Sequence, residues 1–377
     1  MNIIADKKTL LNALARIQGI VEKSSIKPIT SNALLEAREK ELSVSATNLQ
    51  IGMTSKYDAV QVVKEGKISV NARKFYEIVK ELPEKEINVQ EKENYRIEIR
   101  CGDEVSFNIN GLPPEDFPVF TKENEDYRDT WETEKVLMML GMTSFSISRD
   151  ETKLNICGSF MENIEGNQIR IVTTDGYRLS IVEDILGKKL PLENGMTIPH
   201  KAVTELNRIL LEKREDKKID VRIFKNSILV TAGEIELFIR LMEKKFPDYK
   251  VILPGDGYEN VEVKVEERKI KPALKRTAII AQENNRPVVF SFRENKLEMF
   301  TEDSEFGNVH ENLVLEQEVS ENFKFCINAT YLLDVLNAID DDIIIQFNKE
   351  EENKPIIVRP FSRKEKAKYI IMPMIMD

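Results

Sequence analysis

The sequence predicts an α+β protein made of three tandem copies of one domain, each with two helices plus antiparallel strands. Three observations predict it: an internal repeat, helical faces that recur in every copy, and short alternating runs between the helices. ISVNARKFYEIVKELPEKEINVQ from Ile68, MTIPHKAVTELNRILLEKREDKKIDVRI from Met196 and FKFCINATYLLDVLNAIDDDIIIQF from Phe323 each read strand, amphipathic helix, acidic turn, strand. Val70, Ile198 and Ile327 are the equivalent positions. A second marker, Thr47 in SATNLQ, Thr174 in VTTDGY and Thr301 in MFTEDS, keeps nearly the same period. That period, roughly 125 to 130 residues, is an ordinary domain length.

Taken in order, the first copy opens with a helix capped by Asp6, which places Leu10, Leu11, Leu14, Ile17 and Val21 on one face. The second opens with a helix from Thr133 that uses Val136, Leu137 and Leu140. The third starts near Ile270, with Pro272 in the first turn and Leu274 and Ala278 facing inward. The second helix of each copy repeats the pattern through Phe75, Ile78, Val79 and Leu82, then Val203, Leu206 and Leu210, then Leu332, Val335, Leu336 and Ile339. Runs such as LSVSAT, YRIEIR, EVSFNI, IRIVT and KLEMF alternate with period two and predict half-buried antiparallel strands. Boundaries are expected near Asp126–Thr130 and Pro254–Gly257, in stretches rich in Pro, Gly and Asp. The domains are therefore residues 1–126, 127–254 and 255–377.

Composition narrows the function. An apolar share of 41% with 32% charged residues describes a soluble globular chain, and no apolar run is long enough to span a bilayer. The start, MNIIADKKTLLNAL, lacks the order of a signal peptide, so a cytoplasmic location is expected. Cys101, Cys157 and Cys326 are odd in number and widely spaced, which favours free thiols over a disulfide framework or zinc site. No phosphate loop, dinucleotide fingerprint, HExxH or GxSxG motif is present. His200 begins a predicted helix, His310 lies in an acidic stretch, and Asp340, Asp341 and Asp342 read as a charged turn. No catalytic residue, metal site or cofactor is expected.

The net charge of −10 argues against nucleic acid only as a sum, because binding depends on where the cations sit. RKIKPALKR, Arg268 to Arg276, carries five cations in nine residues. Lys7, Lys8, Arg16, Lys23 and Lys27 lie in or after the first helix, Arg73, Lys74 and Lys80 on the second, and Lys201, Arg208, Lys213 and Arg214 on the fourth. Each cluster alone reads as a solvated helix face. Their recurrence on repeated units points to a shared basic surface.

SVNARKFYEIVKELP, GLPPEDFP, VTTDGYRL, KFPDYKVILP, INATYLLDVLNAI and YIIMPM, in this order and spacing, resemble the bacterial replicative polymerase beta subunit, the sliding clamp family, over the whole length. The resemblance implies three clamp-type domains and a ring-forming head-to-tail homodimer with helices inside and strands outside. It implies sequence-independent contact with double-stranded DNA through Lys23, Lys27, Arg73, Lys74, Arg149, Lys153, Lys201, Arg208, Lys271 and Lys275. A hydrophobic peptide-binding pocket is implied at Leu154, Thr174, Gly176, Tyr177, Arg178, Leu179, Pro247, Ile252, Asn328, Tyr331, Ile370, Met372, Pro373 and Met374. Read locally, Asp175-Gly176 is a hairpin turn and Pro373 marks a strand edge. The dimer interface implied is Phe107 and Ile109 against Ile279 and Ile280, which as residues alone are equally ordinary core positions.

The partners implied are the replicative DNA polymerase, the clamp loader, other repair and replication proteins carrying a clamp motif, and a second copy of the chain, with no membrane. Two departures stand out: Tyr177 replaces a histidine common in the family, and the tail MPMIMD lacks the arginine often found after MPM. The loop EKSSIKP matches the family loosely, and SRDETKLN resembles its second DNA loop. The rival readings are a monomeric non-enzymatic interaction scaffold and an enzyme of unknown class.

Overall fold

Among the described residues, six α-helices punctuate an otherwise antiparallel β protein: α1 (Lys7–Ile17), α2 (Ala72–Glu81), α3 (Thr133–Gly141), α4 (His200–Glu212), α5 (Glu267–Ile280) and α6 (Ala329–Ala338). This computed structural model describes the chain except residues 23–26, 59, 119, 121–124, 192–193, 254–259, 282–285, 305–306, 349–353, 364–365 and 376–377.

The repeat is visible where strand meets helix. Strands Gly66–Asn71, Met196–Pro199 and Gly307–Asn328 each run directly into α2, α4 and α6, and carry Val70, Ile198 and Ile327 in the core. Local chemistry sets the helix starts. Asp6 accepts from the Thr9 amide at 2.8 Å, Asn71 from Lys74 and Asn328 from Thr330. Each such cap is worth about 1 kcal/mol. Leu10, Ala13, Leu14 and Ile17 then bury one face of α1, and Leu332, Val335 and Leu336 one face of α6.

Three local expectations need correction. α1 ends at Ile17, so Val21 is buried from the segment beyond it, and Leu11 is only half-buried. α5 begins at Glu267, which puts Pro272 inside the helix instead of its first turn. There the proline withholds one backbone donor, and flanking burial of Ile270, Ala273, Leu274, Thr277 and Ala278 holds the helix together. Asp126–Thr130, read as a linker, lies within the strand Glu125–Glu132, which pairs with Lys218–Phe224 from Arg128↔Arg222 to Glu132↔Lys218. The stretch at Pro254–Gly257 lies outside the described residues.

The chain divides into two compact units, Met1–Glu134 with Thr204–Leu241, and Lys135–Val203 with Met242–Asp377. In the first unit a thirteen-stranded sheet passes without a break from the middle third of the chain into the first third. Its junction is Ile235–Arg240 against Ile51–Tyr57, with Leu237↔Met53 and Phe238↔Gly52 in register. In the second unit an eight-stranded sheet joins Arg178–Ile185 to Ala367–Ile371 through Leu179↔Ile370 and Ile181↔Lys368. Strands from the middle third thus continue both neighbouring sheets. The last third also holds a long hairpin, Pro287–Ser304 with Gly307–Asn328, where short strands were expected. Its core is aromatic: Phe290, Phe292, Phe323 and Phe325 pack with Phe347, the Phe323 and Phe347 rings stacked at 4.2 Å.

Candidate functional site

The second unit presents an apolar surface built on the turn between strands Gln168–Thr174 and Arg178–Ile185. Thr174 Oγ1 donates to the Arg178 carbonyl and accepts from the Gly176 amide at 3.0 Å, while Asp175 Oδ1 accepts from the Tyr177 and Arg178 amides. Gly176 sits at φ +95°, a left-handed conformation that costs glycine nothing. The turn leaves the Tyr177 ring 59% exposed, with the Lys153 ammonium 5.4 Å from its centre. Met372 donates its amide to the Tyr177 carbonyl at 3.0 Å, and Met374 to the Cys326 carbonyl at 2.7 Å, so the C-terminal segment is laced beside this turn.

Beneath lies an apolar cluster of Ile156, Val172, Leu179, Ile181, Phe246, Tyr249, Ile357 and Ile370, with Phe160 and Leu253 against it. Leu179 and Ile370 are its expected members. Phe246, Tyr249 and Leu253 were not foreseen; their alternation with exposed Pro247, Asp248 and Lys250 in KFPDYKVIL was the available signal. Exposed apolar side chains belong to the same segments: Leu154, Tyr177, Val251, Ile252 and Met372. Monomers seldom leave such groups in water without a use for them.

Arg178 ties the site together. Its guanidinium donates to Asp175 at 3.0 Å, to Asp334 on α6 at 2.6 Å and to the Phe145 carbonyl at 2.8 Å. It also lies 4.6 Å from the centre of the Tyr331 ring. Asn328 is occupied as the α6 cap, and Tyr331 stacks under Arg178, its hydroxyl pKa raised by burial and by Asp175. Tyr249 bridges Glu162 and Arg170, and burial and Glu162 hold its hydroxyl well above the ordinary range.

The expected basic residues divide into two groups. Lys27, Arg73, Lys74, Arg149, Lys153, Lys201 and Lys275 are exposed, Lys74 beside Glu77 at 2.8 Å. Arg208 and Lys271 are half-buried and already bonded to neighbouring groups. Arg208 pairs with Glu205 and donates to the Arg16 carbonyl at 2.7 Å, and Lys271 bonds Glu267 and the Leu336 carbonyl. Arg16 is likewise buried against Tyr57, Glu212 and Glu234. Lys23 lies outside the described residues.

Phe107, Ile109, Ile279 and Ile280 are not core. Phe107 is 39% and Ile279 76% exposed, and Ile109 and Ile280 are half-buried. Phe107 and Ile109 lie on Val105–Leu112, whose residues before Gly111 pair, among the described residues, on one side only, with Arg96–Cys101. An apolar, open strand edge is a template for pairing.

His200, Asp341 and Asp342 find structural settings. The His200 amide donates to the Cys157 carbonyl at 3.0 Å, and burial, then Arg149, lowers the pKa of its ring. Asp342 accepts from the Glu267 amide at the start of α5, and Asp341 holds Ser362.

Comparison with known proteins follows the same geometry. Models of the DNA polymerase III beta subunit match in chain order: its N-terminal domain over residues 1–121, its central domain over 130–248 and its C-terminal domain over 250–375. The beta sliding clamp of Escherichia coli strain K12 is 29% identical over 375 residues, covering 99% of this chain and all of that one. That of Pseudomonas aeruginosa is 27% identical over 376 residues, with the same coverage. Two clamp crystal structures, from Caulobacter crescentus and from Bartonella birtlesii bound to griselimycin, superpose over the full length of both chains, each with a TM-score of 0.91 and 26% identity.

Proposed function

The chain belongs to the DNA polymerase III beta subunit family, and from that premise we propose that it is a DNA sliding clamp, a non-enzymatic tether that holds replication proteins on duplex DNA. Two copies join head to tail into a ring, and the three domains span residues 1–126, 127–254 and 255–377. The open edge carrying Phe107 and the exposed Ile279 support the interface. Exposed Arg73, Lys74, Arg149, Lys201 and Lys275 supply phosphate contacts that carry no sequence information. Replicative polymerase, clamp loader and repair proteins would share the apolar groove, and the ring would work in the cytoplasm.

The observation that carries this reading is the exposed rim of Leu154, Tyr177, Ile252 and Met372 over the buried Leu179 and Ile370. Flexible methionine and a broad aromatic ring suit a surface that must accept several peptides. A labelled pentapeptide, QLSLF, titrated by fluorescence anisotropy should bind with a dissociation constant in the micromolar range, roughly −8 kcal/mol. Tyr177→Ala with Met372→Ala, both at exposed positions, should weaken binding roughly tenfold or more, as loss of apolar anchors does. No saturable binding by folded wild type would sink peptide capture at this groove.

A further inference from the structure

Next to the groove, in the same unit, a cavity of about 240 Å³ is lined by Arg170, Glu183, Leu253, Arg359, Lys366 and Lys368. Four cations face one carboxylate there. Glu183 is already held by Arg170, 2.7 Å from its Nε, and Lys366 pairs with Asp184 at 3.2 Å. Arg359 and Lys368 remain. The Nε of Arg359 is buried with no hydrogen-bond partner, and neither side chain makes an ion pair among the described residues. Lys368 is half-buried, and burial, then Arg359 and Arg170, push its pKa down against the pull of Glu183. Cations partly withdrawn from water without partners leave part of their desolvation cost uncompensated, and mutual repulsion adds to it. An anion removes both.

We propose that this cavity is an oxyanion site that takes a carboxylate or phosphate group between Arg359 and Lys368. The group has two possible sources, a free anion or an acidic residue of a peptide seated in the groove. Geometry connects the two sites. Ile181 and Leu253 belong both to the cavity wall and to the apolar cluster under the groove. Along the paired strands, Ile181↔Lys368 lies two residues from Leu179↔Ile370, a step of roughly 7 Å at the strand rise. A peptide with its apolar side chain over Leu179 and Ile370 can therefore lay an acidic neighbour toward Lys368. The peptide source rests on the clamp reading; the free-anion source does not.

The test uses the full chain. Thermal unfolding is compared in chloride and in inorganic phosphate at matched ionic strength, for wild type, Lys368→Met and Arg359→Gln/Lys368→Met. Removing partnerless cations leaves the fold intact, so the variants should melt in chloride no lower than wild type. Phosphate should raise the wild-type midpoint, with roughly tenfold weaker binding per cation removed, as expected for charge-assisted bonds. In parallel, QLSLF is titrated as free acid, as amide, and with a glutamate added at its N-terminus. An acidic form that binds wild type several-fold tighter than the amide, an advantage lost in the double variant, identifies the peptide as the source. A phosphate response surviving in the double variant overturns the site. So does the absence of both a phosphate response and any acid-over-amide preference while the amide still binds. Should no peptide form bind, the groove reading fails and the phosphate comparison alone decides the site.

Discussion

Replacing Arg178 with methionine should loosen the groove from within. Methionine keeps much of the stem volume but removes the three donors to Asp175, Asp334 and Phe145, and the stacking on Tyr331. Removing one partner of a buried ion pair costs about 3–5 kcal/mol when the other charge is stranded. Asp175 and Asp334 retain 21% and 31% side-chain exposure, so water recovers part of that loss. A net loss of about 3 kcal/mol is expected. In a domain of about 150–250 residues this lowers the unfolding midpoint by roughly 6–12 °C. Asp334→Asn removes one stranded charge, so the double variant should be less destabilised than the sum of the singles by about 1 kcal/mol. Calorimetry measures the loss and hydrogen exchange locates it. Protection should fall at Thr174–Leu179 and along α6, while the equivalent turn Thr47–Ile51 in the other unit stays unchanged. A midpoint shift worth under about 1 kcal/mol, or strict additivity, would refute Arg178 as the tie between turn and helix.

Two further outcomes follow from the charge and exposure pattern. Phe107→Arg or Ile279→Arg should shift the chain toward monomer in sedimentation velocity, each weakening association roughly ten- to a hundredfold, since a buried Phe or Ile contributes about 1.5–3 kcal/mol; a dimer unchanged in both variants would reject this interface. Glu234 has a lowered carboxyl pKa: burial alone would raise it, but Lys213 at 2.7 Å, a backbone hydrogen bond and then Arg16 together outweigh burial. Its contribution is therefore present above the ordinary value of 4.5 and lost as pH falls through the lower folded-state value. Urea midpoints measured downward from neutral pH should drop less steeply for Glu234→Gln than for wild type; equal slopes would show that the pair contributes nothing.

Much of this arrangement was legible because it is local. The Asp6 cap, the strand-to-helix steps at Val70, Ile198 and Ile327, and the hairpin at Asp175-Gly176 depend on residues a few positions apart, and sequence displays those directly. The misreadings depend on distant partners. Sequence shows the sign of Arg16 and Arg208, but not that Glu212 and Glu234 claim the first, or that the second donates to the Arg16 carbonyl 192 residues away. Nor can alternation within ELFIR reveal that Ile235–Arg240 pairs with Ile51–Tyr57, nearly two hundred residues away. Pro272 misled for the converse reason: its local preference for a helix start yields to the burial of Ile270, Ala273 and Leu274 around it.

The two Thr-headed turns show how one backbone device came to serve two ends. In the first repeat Thr47 Oγ1 donates to the Ile51 carbonyl and accepts from the Leu49 amide, and Asn48 caps the Gln50 and Ile51 amides. Thr174, Asp175 and Gly176 reproduce every one of these bonds in the second. The third turn residue is left-handed in both, φ +74° at Leu49 and +95° at Gly176. Leucine bears about 1–2 kcal/mol of strain there, whereas glycine bears none. Space does not explain the glycine, because a Cβ at 176 would meet only the Lys153 ammonium at 4.0 Å. Asp175 and Arg178 stand where the first turn has Asn48 and Ile51, so here the second carboxylate oxygen takes the guanidinium, Arg178 reaches Asp334 on α6, and Tyr177 stands exposed between them. The repeat therefore explains the geometry of this turn, and the substitutions within it explain why the second copy, and not the first, carries the Asp175–Arg178–Asp334 tie.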